Sequence, residues 1–281
     1  MKRWKFFPIL VKEEVLKNMD LSDRLSFSKC SKKCRNLLSR IPNHLESLTI
    51  PYDNQLSVDD FLTLTTCRKS TIQKFKVKIQ TADERDQVNQ FLLKLNFVLK
   101  VEKIIMKISS RYSEMYKKCI GFCDPSFIEL MRIQSLKSQE LYEHILRTPQ
   151  WKNSRQVSLN YGIWQGTLRI NIDNFLHFKS IKLKVEKLSA DDAWKLVQNS
   201  VNAGSLNDRI DISCRNPIQI DLIRQKIETE LVGEWKGRYL NARYLVHPKN
   251  PDLVLEYAWY FNMFYVKYLT IEEFNMRLGV L

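Results

Sequence analysis

Residues 71–85 read TIQKFKVKIQTADER. Ile72 is followed by Phe75, Val77 and Ile79, three, five and seven positions on. The last three alternate with lysines, the period of two that gives a strand one apolar and one polar face. Ile72 lies one step out of phase, so the strand is entered by a turn. Thr81-Ala-Asp-Glu84 then opens a new apolar run, and a hydroxyl residue with Glu three positions later is a capping box that starts a helix. The stretch therefore specifies a strand followed at once by a helix.

The same spacing recurs on both sides. Leu45/Leu48/Ile50, Val101/Ile104/Met106/Ile108 and Phe178/Ile181/Leu183/Val185 repeat it, and Ile210/Ile212/Cys214 is a weaker copy. Ile72 and Val101 are 29 residues apart, as are Ile181 and Ile210, an interval that holds one strand and one helix. Further helix starts are marked by Ser57-Val-Asp-Asp60 and Ser189-Ala-Asp-Asp192, with Pro125 and Pro217 at first-turn positions. Alternation of strand and helix is expected from about residue 45 to 235. Right-handed crossovers then give a largely parallel sheet, as an irregular leucine-rich-repeat-like solenoid or an open α/β layer. Asp53, Gln80, Ser109 and Glu186 stand where a regular leucine-rich repeat has asparagine, which favours the irregular form. Residues 252–269 are dense in aromatics, with Asn262 near the middle, and read as a hairpin or two strands closing the sheet, their rings in the core.

The first 42 residues follow another period. In PILVKEEVLKNMDLSDRLSFSKCSKKC, residues 8–34, Val11, Val15, Leu16 and Met19 make one stripe of a helix starting just after Pro8. Asp20 with Asp23 restarts the chain as a new helix. Phe27, Cys30, Cys34, Leu37, Leu38 and Ile41 form the stripe of a third, stopped by Pro42. Three helices in about 40 residues enclose little core, so part of their apolar surface is covered either by the rest of the chain or by a partner. The fold class is α+β overall: a three-helix module over residues 1–42 and a larger α/β domain over 43–281.

Composition narrows the function classes. At 281 residues and 44% hydrophobic the chain can bury a sizeable core, while 7 glycines leave little material for a phosphate-binding loop. The six cysteines, at 30, 34, 67, 119, 123 and 214, lack both the density of a disulfide scaffold and the spacing of a zinc site. No metal or cofactor is implied. The start, MKRWKFFPILV, meets Lys12-Glu13-Glu14 without a cleavage site, so no signal peptide is expected. Residues 253–269 are too short and too polar, with Glu256, Asn262 and Lys267, to span a membrane. A soluble cytoplasmic or nuclear protein is expected. Histidines at 44, 144, 177 and 247 are scattered, and HExxH, GxSxG and GxxxxGK[ST] are absent, so an enzyme is not expected. The net charge is +14, and residues 1–42 hold 11 Lys/Arg against 4 Asp/Glu, an excess of 7 that suits an acidic partner.

These N-terminal residues resemble an F-box. Pro8, Val11, Val15, Leu16, Met19 and Asp20 fit its pattern without a gap, and Asp23, Phe27 and Ser28 also match, while Phe7, Leu10, Arg24 and Cys34 depart from it. The resemblance implies docking to the Skp-family adaptor, and through it a cullin, of an SCF-type ubiquitin ligase. It points to Pro8, Val11, Val15, Leu16, Met19, Leu25, Phe27 and Cys30 as the adaptor-binding residues. The wording from Lys12 to Pro42 is similar to F-box families expanded in nematodes, in which an FTH-type domain follows. WKNS at 151 and HFKSIKLKVEKLSADDAWKL at 177 resemble that domain, placed at about 140–270.

The polar face of the strands is mostly lysine. Lys74, Lys76 and Lys78, Lys103 and Lys107, Lys182 and Lys184, and Arg209 form a candidate surface for a target protein, acidic or phosphorylated, if their strands are neighbours. The alternative is a solvated face on which lysines discourage edge pairing. The leading expectation is a non-catalytic substrate receptor; a basic nucleic-acid-binding protein or a plain interaction scaffold is the alternative.

Overall fold

A computed structural model describes residues 7–51, 70–160, 168–203, 208–216, 218–230, 235–239, 241–247, 250–260 and 262–278. Ser57–Asp60, Asp53, Pro217 and Cys67 lie outside these residues. Packing divides the chain into two compact units, Met1–Glu129 with Thr148–Asn153, and Leu130–Arg147 with Ser154–Leu281.

The first unit begins with α1 (Ile9–Asn18), α2 (Leu21–Cys30) and α3 (Lys32–Leu38). Pro8 is the N-cap of α1, and Asp20 caps α2 by accepting from the Asp23 N–H at 2.8 Å. That bond, with a second from the Ser22 side chain, holds the Asp20 carboxyl below the usual carboxylate range. The stripe from Phe27 to Ile41 is not one helix. Ser31 turns extended at φ −168° and accepts from the Cys34 N–H at 3.2 Å, so it ends α2 and caps α3. Leu16, Leu37, Leu38 and Ile41 form a small buried core, with Met19 and Phe27 packed against it.

Strands β1 (His44–Ile50), β2 (Thr71–Lys78) and β3 (Val101–Lys107) follow, with α4 (Ala82–Lys94) crossing from β2 to β3. The three strands are parallel, in the order β1-β2-β3. Every residue of the Leu45/Leu48/Ile50, Ile72/Phe75/Val77/Ile79 and Val101/Ile104/Met106/Ile108 sets is buried. Thr81 and Glu84 form the expected reciprocal capping box, and α4 buries Val88, Phe91 and Leu92. After α5 (Ser113–Gly121), Pro125 does not start a helix. It occupies the second position of a turn closed by Phe127 N–H donating to Asp124 O, a place for which its fixed φ is suited. A short helix, Pro149–Asn153, adds buried Gln150 and Trp151 to this unit.

The second unit holds β4 (Leu130–Gln134), α6 (Gln139–Arg147), β5 (Gln156–Asn160), β6 (Ser180–Val185), α7 (Ala190–Ala203), β7 (Arg209–Cys214) and α8 (Ile220–Glu230). It ends with β8 (Trp235–Tyr239), β9 (Ala242–His247), β10 (Asn250–Tyr260), β11 (Met263–Thr270) and α9 (Ile271–Leu278). Its strand order is β4-β5-β6-β7-β11-β10-β9-β8. The first four strands are parallel, and the last four join antiparallel. The expected closing hairpin is β10–β11, turning at Asn262. Among the described residues no helix is long and apolar enough to cross a membrane.

Cys119, Cys123 and Cys214 are buried. Burial pushes the Cys119 thiol up to about 12 and Cys214 to about 11, so both stay protonated at neutral pH. Cys30 is exposed. At pH 8 iodoacetamide should alkylate Cys30 in the native protein and leave Cys119, Cys123 and Cys214 protected until denaturant is added, as read by peptide mass mapping.

Candidate functional site

Two surfaces stand out, one apolar and one basic. The apolar surface is α1. Because an α-helix repeats every 3.6 residues, Val11 and Val15 share one face, while Leu16 points about a quarter turn away. Leu16 is fully buried in the core of the helical module, whereas Val11, Val15, Ile9 and Leu10 are exposed, Leu10 at 74%. Pro8 is exposed beside them. The sequence-derived adaptor set is thereby sorted. Pro8, Val11 and Val15 lie on the open face, Leu16 is internal, and Met19 and Phe27 pack on the internal core. Leu25 is half-buried and Cys30 exposed on α2. Ile9 and Leu10 were missed by a stripe drawn at single positions; their signal is the apolar run that begins at Pro8.

Arg24 has a structural task. The last carbonyls of a helix have no partner within it, and Arg24 Nε donates to Met19 O at 3.0 Å while its Nη2 donates to Lys17 O. Its Nη1 donates to Asn43 Oδ1, and Asn43 N–H in turn donates to Ser70 Oγ at 3.0 Å. One guanidinium thus ties the end of α1 to the segment entering β1. Partial burial lowers its pKa, yet a guanidinium keeps its charge at any physiological pH.

The basic surface lies on the strand faces opposite the buried sets. In the first unit, Lys74 faces Lys103 and Lys78 faces Lys107 in register, with Lys76 between them. Like charges directly opposite are unfavourable in a sheet. Lys74 alone among these has an ion pair among the described residues, to Glu46 at 3.5 Å. In the second unit the expected cations do not face one another. Lys182 faces Ser158 and Asp211, Lys184 faces Ser213, and Arg209 faces Ser180 and Lys267. Arg209 is bound to Asp211 at 3.0 Å. Arg132, on β4 in register with Ser158, belongs to the same surface. It was missed because β4 is only five residues long, although Ile128/Met131/Ile133 carry the same three-then-five spacing.

Three of the four histidines hold local structure. His44 Nδ1 meets Thr71 Oγ1 at 2.7 Å, His177 stacks on Phe178 at 3.9 Å, and buried His247 Nε2 meets Val201 O at 2.9 Å. Among the described residues no cluster of three or more His, Cys, Asp or Glu could hold a metal ion.

Comparison with known proteins places two domains on this geometry. A family model for the F-box domain matches residues 4–46, and one for the FTH domain matches residues 85–223. "F-box A protein 224" of Caenorhabditis elegans is 25% identical over 239 residues, covering 68% of this chain and 61% of that protein. The chain thus spans less than two thirds of that relative. No solved structure matches. Both α1 and Arg24 lie inside the first match, and Lys103, Lys107, Arg132, Lys182, Lys184 and Arg209 inside the second. Arg24→Leu should leave Lys17 O, Met19 O and Asn43 Oδ1 without that donor and cost about 2 kcal/mol of stability in urea unfolding.

Proposed function

Because this chain carries an F-box domain followed by an FTH domain, we propose that it is the substrate-recognition subunit of an SCF-type cullin–RING ubiquitin ligase. In this reading residues 1–42 dock the Skp-family adaptor, which links the chain to a cullin. Residues 43–281 capture the target protein, and ubiquitin is transferred from a component recruited elsewhere, so the chain itself performs no catalysis.

The observation that carries the reading is the exposed face of α1. Pro8, Ile9, Leu10, Val11 and Val15 are exposed apolar residues on a helix whose inward residue, Leu16, is already fully buried. Such exposed apolar residues are what a docking segment requires, since their burial against a partner yields roughly 25 cal/mol per Å2 of apolar area. The basic excess around it suits an acidic partner by steering the encounter. The in-register lysines of β2 and β3 supply a reason for the second half of the reading. Repulsion between Lys74 and Lys103 and between Lys78 and Lys107 is relieved when carboxylates approach that face. The same lysines also favour a second reading, binding to a polyanion such as nucleic acid, which differs in having a steep salt dependence and no need of α1.

The two roles on α1 separate cleanly. Val11→Asp with Val15→Asp should abolish capture of purified Skp-family adaptor while leaving the circular dichroism spectrum and melting temperature unchanged. Leu16→Ala should instead lower stability by about 2–5 kcal/mol, because it empties a buried site. Full adaptor capture by the Val11/Val15 variant would rule out docking through this face. Measurement at two salt concentrations, with a single-stranded oligonucleotide as competitor, distinguishes the polyanion reading.

A further inference from the structure

The open face of the second unit carries a shallow cavity of about 260 Å3 near the C-terminal ends of its parallel strands. Arg132, Ser158, Asn160, Lys182, Lys184 and Ser213 are among the residues that line it. Its charge is one-sided. Arg132, Lys182 and Lys184 make no ion pair among the described residues. Asp211 faces Lys182 in register, but its carboxylate is held by Arg209 at 3.0 Å. The cavity also contains an unmet acceptor. Asn160 Oδ1 is buried with no hydrogen-bond partner among the described residues, a state that costs about 1–3 kcal/mol until a donor arrives.

Beside this cationic cluster lies an apolar ledge on the same face. Lys184 pairs with Ser213, Ser213 with Met263, and Met263 with Tyr260. Met263 is 42% and Tyr260 56% exposed. Adjacent strands are about 4.8 Å apart, so the ledge begins roughly 10 Å from Lys184 and ends at roughly 14 Å. A peptide laid across the strands in extended form advances about 3.3 Å per residue and covers that distance in three or four residues. Further along the face the way is closed. Phe274 of α9 packs onto Ala242, Tyr244, Val254, Ala258 and Leu269, and Arg277 of α9 binds Glu256 at 2.9 Å. The accessible strip therefore offers room for a short anionic element next to an apolar one, and on this side α9 stops it before it could continue as a basic track.

We infer that this strip binds an extended acidic segment of a protein, with a large apolar side chain three or four residues from an Asp/Glu pair. The carboxylates meet Lys182, Lys184 and Arg132, and the apolar side chain rests on Met263 and Tyr260. The inference rests on the receptor reading in taking the ligand to be a target protein, and it names the chemistry that target must display.

The test uses the full chain and fluorescein-labelled peptides with an Ala/Ser background, one Asp-Glu pair, and one Leu placed one, three, four or seven residues away. Anisotropy titrations should show tightest binding at spacings three and four. Lys182→Glu with Lys184→Glu should weaken that binding at least about tenfold, the effect of losing charge-assisted contacts. Met263→Ser should erase the spacing preference. Asn160→Asp, which keeps the acceptor but adds a negative charge, should weaken all acidic peptides. Binding that ignores Leu spacing, or that survives the double Lys→Glu change, overturns the inference. So does binding of a peptide with phosphoserine in place of Asp-Glu when the Asp-Glu peptides do not bind. The Val11/Val15 variant should bind the peptides as the unmodified chain does. Adaptor capture without peptide binding refutes this inference alone, and peptide binding without adaptor capture refutes the ligase reading alone.

Discussion

A parallel strand that is apolar on one face must have that face covered and its other face left to something else, and the sheet of this protein is arranged around that constraint. Phe75, Val77, Ile104 and Met106 in the first unit, and Met131, Ile133, Val157, Leu159, Ile181, Leu183, Ile210 and Ile212 in the second, are all buried to within a few per cent. Right-handed crossovers, the rule for parallel β–α–β units, return the connecting helices to one side of such a sheet. Tyr268 hydroxyl donating to Ser200 O of α7 at 2.7 Å and Arg243 bound to Glu228 of α8 at 2.9 Å mark that side in the second unit. The residues between the apolar ones are left on the opposite face, and their chemistry is free to serve binding because the core does not use them. The core in this way uses one set of alternate positions of each strand and leaves the other set outside it.

The antiparallel end departs from that plan at one buried carboxylate. Glu256 is 2% exposed, and an isolated carboxylate there would cost several kcal/mol. It is met by Arg277 at 2.9 Å and Lys267 at 3.2 Å. The hydroxyls of Tyr265 and Tyr244 donate to it at 3.2 and 3.4 Å. Burial, and after it the Glu256 charge, raises the pKa of both tyrosines, which keeps them protonated and donating. Such a cluster contributes less to net stability than to specificity, since only one placement of α9 satisfies all its members. Its consequence is spatial. It fixes α9 over the open face of β10 and β11, and so decides where the accessible strip stops.

Much of this was legible in residue spacing, and the reasons for the rest are physical. The three-then-five spacing located β1, β2, β3 and β6, and the plain alternation of Ile210, Ile212 and Cys214 located β7, because burial on one face imposes such patterns on a strand. Strands β4 and β5 carry the three-then-five spacing too, as Ile128/Met131/Ile133 and Ser154/Val157/Leu159, but they are only five residues long and a buried serine opens the second. The break at Ser31 was hidden because the apolar stripe continues through it; a local side-chain bond to Cys34 N–H decided the outcome, not periodicity. Pro125 shows the converse error, since a fixed φ suits a turn as well as a first helical turn. Within the docking segment, spacing located the helix but could not tell Val15 from Leu16, because both lie on the broad apolar side of α1 and only the packing of Leu37, Leu38 and Ile41 selects one. The lysine face was legible as alternation, whereas the pairing of Arg209 with Asp211 and the place of Arg132 depend on register, which no single strand encodes.

The two surfaces differ in chemistry, and that difference has a mechanistic meaning. The exposed side of α1 is largely apolar, so in the proposed reading its affinity for an adaptor would come mainly from area removed from water. The strand faces are cationic and largely polar, so in the proposed reading their affinity for a target would come from charge and hydrogen bonding and weaken with salt. Partners selected by such different terms would not compete: an apolar surface gains little from a lysine face, and an acidic peptide gains little from Ile9, Leu10 and Val11. Arg24 belongs to this separation. It stands within the F-box match, yet its guanidinium is bound to Met19 O, Lys17 O and Asn43 Oδ1 instead of being offered to a partner. A charge placed near the docking helix is thereby held by the protein's own carbonyls, and the apolar face of α1 remains apolar.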